Sequence, residues 1–209
     1  MNRLQFFLTR VYVSTAIGGQ VKEVRTIEIG TGEKVEIILF SRKGALHIGQ
    51  STVFGTIIIE ESLFSEYSPD VQQYVLFHEY AHSKQKSVYL LLPFMVISFL
   101  YLISYPIAMI IFLLFISTLG SSIFLNLALG FIPFLLSLMV FIGSSWYLEG
   151  RADLYATSHL GKEKFLAARQ EIKEKHPNPK LMYRVIGRLT HPPLGLFLEA
   201  YDYFHKPEE

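Results

Sequence analysis

Residues 68–86 read SPDVQQYVLFHEYAHSKQK, and this segment predicts the helix on which the rest of the chain is built. Ser68 can accept a hydrogen bond from a free backbone N–H, Pro69 loses nothing at the first helical position, and Asp70 faces the positive end of the helix dipole. We therefore expect a helix that begins at Ser68 and continues through Lys86.

Inside this helix, residues 78–82 form an H-E-x-x-H motif. Histidines four positions apart project from the same helix face, so the ring nitrogens of His78 and His82 can converge on one metal ion. Glu79 follows the first histidine and is placed to accept a proton from an attacking water molecule. The motif predicts a zinc site with a general base beside it. The alternative is two helix histidines paired with nearby carboxylates.

A zinc site that keeps one position open for water needs a third protein ligand. Residues 146–153 read WYLEGRAD, in which Glu149 and Asp153 lie four positions apart on one helix face. Glu149 is the candidate third ligand, and Asp153 can accept the outer ring N–H of a zinc-bound histidine. The alternative for Glu149 is a simple ion pair with Arg151.

Two regions before the helix predict β-structure. Apolar and polar residues alternate from Val21 to Arg42 around a central Gly-Thr-Gly, which predicts a β-hairpin. Residues 53–60 read VFGTIIIE and predict a third strand. Because this strand lies just before the zinc helix, it could bind an extended peptide by strand addition.

A long run, residues 87–148, contains no Asp, Glu, Lys, Arg or His. Its length holds two membrane-spanning helices, which we place at residues 88–117 and 123–146. Basic residues flank the run on both sides and are absent from the turn between the spans. The positive-inside rule therefore predicts a two-span protein of the cell membrane, in contact with the lipid bilayer, with its active site facing the cytoplasm. The alternative is a buried helical hairpin in a larger soluble fold.

Composition excludes several classes of function. The net charge is +1 and no segment is densely basic, so we expect no binding to nucleic acid. Because the chain contains no cysteine, Cys-ligated zinc and thiol catalysis are excluded. Four histidines lack metal-ligand spacing and receive no role: His47, His159, His176 and His205. Three residues at helical spacing predict core packing behind the zinc helix: Tyr74, Phe77 and Ala81.

Together these motifs resemble the HtpX-type membrane proteases and the CAAX prenyl proteases, which are zinc enzymes of the gluzincin type. The resemblance is carried by H-E-Y-A-H at residues 78–82, E-G-R-A-D at 149–153 and T-H-P-P-L at 190–194, and by the strand before the helix. It covers about residues 44–200 and therefore includes most of the chain.

The resemblance implies roles for single residues. One zinc ion per chain would be held by three ligands: His78, His82 and Glu149. Glu79 would be the catalytic base, Asp153 would support a zinc ligand, and His191 would lie near the zinc and stabilise the oxyanion. The sequence departs from the family at Phe197, where an arginine is common, and lacks the asparagine that often holds the substrate backbone.

The expected fold is α+β, with a mainly helical, zincin-like metalloprotease domain and a small antiparallel sheet, interrupted by a two-helix transmembrane hairpin. Residues 1–86 and 149–209 are the two halves of the protease domain, and residues 87–148 are the hairpin. Further helices are predicted at residues 162–175 and 180–189, and a last helix ends at Phe204.

We therefore hypothesise an integral-membrane zinc endopeptidase that acts on a protein or peptide substrate. The resemblance implies misfolded or damaged membrane proteins as that substrate. Three alternatives stay open: a CAAX-type processing peptidase, an intramembrane protease, and a non-catalytic zinc-holding membrane scaffold or sensor.

Overall fold

The computed structural model describes residues 1–30, 32–44, 47–85, 87–116, 123–175 and 181–204. The helices are α1 (Arg3–Tyr12), α2 (Glu61–Ser65), α3 (Pro69–Lys84), α4 (Ser87–Ile116), α5 (Ile123–Leu160), α6 (Lys162–Lys175), α7 (Leu181–Thr190) and α8 (Leu194–Phe204). The strands are β1 (Gln20–Ile29), β2 (Glu33–Ser41), β3 (Gly49–Ser51) and β4 (Ile57–Glu60). The chain is thus mainly helical with a small sheet, as predicted. The predicted turn at residues 117–122 and the proline-rich break at 176–179 lie outside the described residues.

Helix α3 begins where the sequence predicts. The Ser68 side chain accepts a hydrogen bond from the backbone N–H of Val71 at 3.4 Å and so caps the first turn. The same hydroxyl donates a hydrogen bond to the Glu171 carboxylate, which ties the start of α3 to α6. The helix ends at Lys84, two residues before the predicted end.

The sheet has the strand order β1-β2-β4-β3. Strands β1 and β2 form the predicted antiparallel hairpin. Strand β4 pairs parallel with β2 and antiparallel with β3, so the predicted antiparallel sheet is in fact mixed. The reason is β3, a short strand that was not predicted from the sequence. Strand β3 occupies the edge of the sheet, and β4 lies between β3 and β2 and runs parallel to β2.

The core lies on both faces of β4. Ile57, Ile58 and Ile59 are at most 2% exposed. Because successive strand residues point to opposite faces, Ile57 and Ile59 pack with the apolar residues of α3, α5 and α6, whereas Ile58 packs with Val13. Burial on both faces fixes the sheet against α3.

The uncharged run forms α4 and α5, which pack against each other and leave apolar side chains such as Ile97 and Met139 exposed. In the part of the chain that the structure describes, no helix is both long enough and apolar enough to cross a membrane. The predicted transmembrane hairpin is therefore wrong, as is the predicted two-span location in the cell membrane with a cytoplasmic site. The prediction was made from the whole of residues 87–148, whereas this finding concerns the described residues of α4 and α5, which exclude the predicted turn between the two spans.

Helix α5 carries the second half of the candidate site. It runs without a break from the uncharged segment through Glu149 and Asp153 to Leu160. It packs along α3, with Ala152 and Ala156 fully buried. Small side chains let the two helices approach closely, so residues about seventy positions apart in sequence meet at this contact.

Gly49 in β3 lies where the sheet edge comes closest to α3. A Cβ at this position would lie 2.8 Å from both Ile59 Cδ1 and Val75 Cγ1, and 3.3 Å from Glu79 Cγ. We expect Gly49→Ala to lower the free energy of unfolding by about 1–3 kcal/mol, measured by urea denaturation, because this packing leaves no space for a methyl group. Gly143→Ala on α5, where a Cβ meets nothing within 4 Å, is the control and should not lower stability. Equal losses in both variants would contradict the close approach of β3.

Candidate metal centre

Three residues predicted as zinc ligands meet at the contact between α3 and α5: His78, His82 and Glu149. Their ligand atoms lie within 4.8 Å of one another. His78 Nε2 lies 3.1 Å from His82 Nε2 and 3.3 Å from Glu149 Oε2, and this oxygen lies 3.5 Å from His82 Nε2. Bonds of about 2.0–2.1 Å to a tetrahedral zinc ion separate ligand atoms by about 3.3–3.4 Å. The three residues could therefore hold one metal ion.

The environment of Glu149 Oε2 also fits a bound metal ion. The atom is buried and has no hydrogen-bond partner among the described residues. Burial alone would raise the pKa of the Glu149 carboxyl, but the imidazoles of His191, His78 and His82 outweigh burial and hold this pKa well below its usual range. A buried carboxylate oxygen without a hydrogen bond is costly, and a cation bound between it and the imidazoles would remove that cost.

Asp153 holds His78 from outside the ligand group. Its Oδ1 lies 2.9 Å from His78 Nδ1 and accepts a hydrogen bond from the Tyr74 hydroxyl at 2.9 Å, and its Oδ2 lies 2.6 Å from Arg169 Nη1. Asp153 is 1% exposed. Burial would raise the pKa of Asp153, but His78 and Arg169 lower it below its ordinary value, so the carboxylate is ionised. The structure therefore places Asp153 where the sequence analysis expected it.

Burial also acts on the imidazole of His78. It disfavours the charged ring, yet the hydrogen bond to Asp153 and the nearby carboxylate of Glu149 outweigh this effect and raise the pKa of His78 to about 10. A metal ion at this site has to displace that proton, because it needs the lone pair of Nε2.

Gln85 holds the second imidazole. Its Oε1 lies 3.3 Å from His82 Nδ1, and its Nε2 donates a hydrogen bond to the backbone carbonyl of Leu148 at 3.1 Å. Both outer ring nitrogens of the motif thus face an oxygen acceptor, which leaves the Nε2 lone pairs directed at the shared point. Because Leu148 precedes Glu149, Gln85 also ties the end of α3 to the third ligand.

Glu79 lies beside the ligand group and lines a cleft of 180 Å³ that is also lined by His78 and Gly49. The backbone of Ser51 in β3 lies close enough to the Glu79 carboxylate to lower the pKa of that group. Burial, together with the charge of Glu149, raises the pKa of Glu79 above its ordinary value even though the histidines and Ser51 lower it. A raised pKa suits a carboxylate that accepts a proton near neutral pH and returns it.

His191 borders the group from the segment before α8. Its Nε2 lies 3.2 Å from Glu149 Oε2, and its Nδ1 lies 3.0 Å from Thr190 Oγ1. His191 is not part of the group whose ligand atoms all lie within 4.8 Å of one another, and its side chain is 42% exposed. It therefore stands at the rim of the site.

Three residues that support the site were not predicted: Tyr74, Gln85 and Arg169. Tyr74 lies one helical turn before His78, and this spacing could have indicated that it supports the site, although we interpreted it as core packing. Gln85 lies three positions after His82 and could have been found in the same way. Arg169 lies on α6, and no local spacing links it to the site.

Two of the four histidines without a predicted role lie in the described residues. His47 lines the cleft beside Glu79. His159 Nδ1 bonds to the backbone carbonyl of Tyr155 within α5. His176 and His205 lie outside the described residues.

No family model, curated protein or solved structure matches the chain. The resemblance to the HtpX-type proteases therefore depends on the motif residues alone. Phe197, where that family often has an arginine, is buried and packs against Phe165 with ring centroids 5.3 Å apart. The chain thus has a core residue at this position in place of a charged donor.

We expect the chain to bind one zinc ion, and Glu149→Gln to weaken this binding more than about 100-fold, because loss of a direct ligand should exceed the 10–100-fold effect of a supporting residue. Zinc affinity is measured by competition with a chelator of known affinity. Glu163→Gln, which removes an exposed carboxylate on α6, is the control and should bind like the wild type. Equal affinities of the Glu149 and Glu163 variants would contradict the site.

Arg169 supports the site through Asp153, and its loss leaves a buried carboxylate with one partner fewer. We expect Arg169→Gln to lower zinc affinity about 10–100-fold and Arg169→Lys, which retains the charge, to recover part of that loss. Arg3→Gln, at an exposed position on α1, is the control. Circular dichroism checks that each variant is folded. An unchanged zinc affinity in folded Arg169→Gln would show that Arg169 does not position His78.

Proposed function

We propose that this chain is a zinc-dependent endopeptidase that cleaves unfolded polypeptides. The observation that carries the proposal is the convergence of His78, His82 and Glu149, with Glu79 beside them at an open cleft. Two imidazoles and a carboxylate with one position left open are the donor set of catalytic zinc. Zinc held there would lower the pKa of a water molecule and polarise the scissile carbonyl.

Glu79 moves the proton in this mechanism. Its carboxylate takes a proton from the attacking water as the water oxygen bonds to the carbonyl carbon. It then passes this proton to the amide nitrogen as the C–N bond breaks, so the products are a carboxylic acid and an amine, and transfer of the acid proton to the amine leaves a carboxylate and an ammonium group. The Ser51 backbone lies beside Glu79 and lowers the pKa of its carboxyl, which favours the ionised form that accepts the proton.

His191 is proposed to stabilise the oxyanion that forms during attack. Its imidazole lies at the exposed rim of the site, close to Glu149 Oε2 at 3.2 Å. A ring N–H at this position can donate a hydrogen bond to the developing negative charge, which is the largest electrostatic contribution in many acyl-transfer enzymes.

The outer edge of β3, which pairs with no other strand among the described residues, is the proposed substrate-binding edge. Residues 53–60 were predicted to have this role, but β4 lies between β2 and β3 and both of its edges are paired. Strand β3 is an edge strand, and its Gly49 lines the cleft that contains Glu79. An extended peptide that adds to β3 by backbone hydrogen bonds would therefore bring its carbonyl groups past Glu79.

A non-catalytic zinc-holding protein is the second candidate. It is favoured by His191, because an imidazole 3.2 Å from Glu149 Oε2 could take the fourth position on a metal. Four protein ligands make a closed site, and closed sites are structural.

Cleavage of an unfolded, fluorescently labelled protein by the zinc-loaded chain tests the proposal. We expect Glu79→Gln, at matched zinc content, to cleave at least about 100-fold more slowly, because general-base catalysis contributes 10²–10⁴-fold. Glu66→Gln, which changes an exposed carboxylate, should cleave like the wild type. Cleavage by Glu79→Gln at the wild-type rate would contradict the assigned base. Stoichiometric zinc without cleavage by any variant would favour the zinc-holding protein.

A further inference from the structure

A larger cavity, of 670 Å³, adjoins the metal group. His191 lines this cavity, and Tyr74 and Ile172 line both it and the cleft beside Glu79. The cavity and the cleft therefore share a wall. A peptide that places its carbonyl group near Glu79 would direct a neighbouring side chain into the cavity.

The lining of this cavity carries positive charge. Arg169 and Lys173 contribute to it, and its lining residues include no Asp or Glu. Lys173 is exposed, and among the described residues it forms no salt bridge, whereas Lys164 and Lys175 on the same helix pair with carboxylates. The cavity thus offers an ammonium group that is not neutralised within the described structure.

Arg169 adds hydrogen-bond donors to the cavity, while its positive charge is balanced by Asp153. Its Nη1 pairs with the buried Asp153 carboxylate at 2.6 Å, and its side chain remains 27% exposed. A guanidinium group has five N–H donors in a planar fork, so donors remain for a ligand after this pairing. The apolar part of the lining is formed by Leu166, Ile172 and Leu194, and Tyr74, Gln170 and His191 complete the walls.

These features fit a carboxylate at the end of a short apolar stem. The apolar walls can pack against methylene groups, while the ammonium of Lys173 and the free donors of Arg169 can bind the charge through charge-assisted hydrogen bonds. We propose that this cavity binds a peptide carboxylate, and that the enzyme prefers substrates with an acidic residue close to the scissile bond. The preference for a cleavage position rests on the proposed peptidase function, whereas carboxylate binding by the cavity does not.

Peptide binding to zinc-loaded Glu79→Gln tests the cavity directly, because this variant should hold peptides without cleaving them. The probes are fluorescent, neutral, C-terminally amidated peptides in which a single Glu is moved through every position, and the same peptides with Gln. One neutral peptide with a free C-terminal carboxylate distinguishes a side chain from a chain end as the source of the charge. We expect one Glu position to bind about 10-fold more tightly than its Gln counterpart.

Charge reversal in the cavity supplies the decisive comparison. Lys173→Glu in the Glu79→Gln background should abolish or invert the preference for Glu over Gln. Lys43→Glu makes the same charge change in the exposed loop after β2 and should retain the preference. A loss of preference in both variants would indicate a long-range charge effect and overturn the cavity assignment.

The remaining outcomes separate this inference from the proposed function. Equal binding of Glu and Gln peptides, or no peptide binding at all, overturns the cavity proposal, even if the wild type cleaves neutral peptides. A preference only for the peptide with a free C-terminus would place the bound carboxylate at the chain end and overturn the proposed preference for an internal acidic residue. A Glu preference that depends on Lys173, without cleavage of any peptide by the wild type, supports the cavity and overturns the peptidase.

Discussion

The site depends on the buried carboxylate of Asp153, which joins three helices. Asp153 belongs to α5, its partners Tyr74 and His78 belong to α3, and Arg169 belongs to α6. A buried charge is costly unless it is paired and hydrogen-bonded, and three partners within 2.9 Å meet that requirement only in one mutual arrangement of the helices. The same arrangement fixes the ring of His78 and brings Glu149, one turn before Asp153, against both histidines. The polar contact that orders the helices therefore also orders the candidate metal ligands.

The sheet is coupled to this centre through its edge. Strand β4 is held between two apolar layers, and it carries β3 along the face of α3, where Gly49 allows backbone and helix to approach. The backbone of Ser51 then reaches Glu79. A strand edge that can pair with a peptide and a carboxylate that can accept a proton thus lie side by side. This placement is the basis for proposing the hydrolysis of an extended polypeptide.

Local rules account for what the sequence predicted, and tertiary contacts account for what it did not. Capping at Ser68 and the convergence of His78 and His82 depend on a single helix, and the β1–β2 hairpin depends on neighbouring residues, so these three features are confirmed. Glu149 was predicted because an open zinc site with two histidine ligands needs a third protein ligand, and few types of side chain can bind zinc. Strand β3 is three residues long and has no alternating pattern, and its edge position made the sheet mixed. The transmembrane hairpin was predicted from the long uncharged run at residues 87–148, and it is wrong because no helix among the described residues is both long enough and apolar enough to cross a membrane.

A crystal structure of the zinc-loaded chain, with anomalous diffraction measured on both sides of the zinc edge, tests the central claim most directly. We predict a single anomalous peak within bonding distance of His78 Nε2, His82 Nε2 and Glu149 Oε2, with a solvent molecule as the fourth ligand. A peak at another position, or His191 as a fourth protein ligand in place of solvent, would contradict an open catalytic centre.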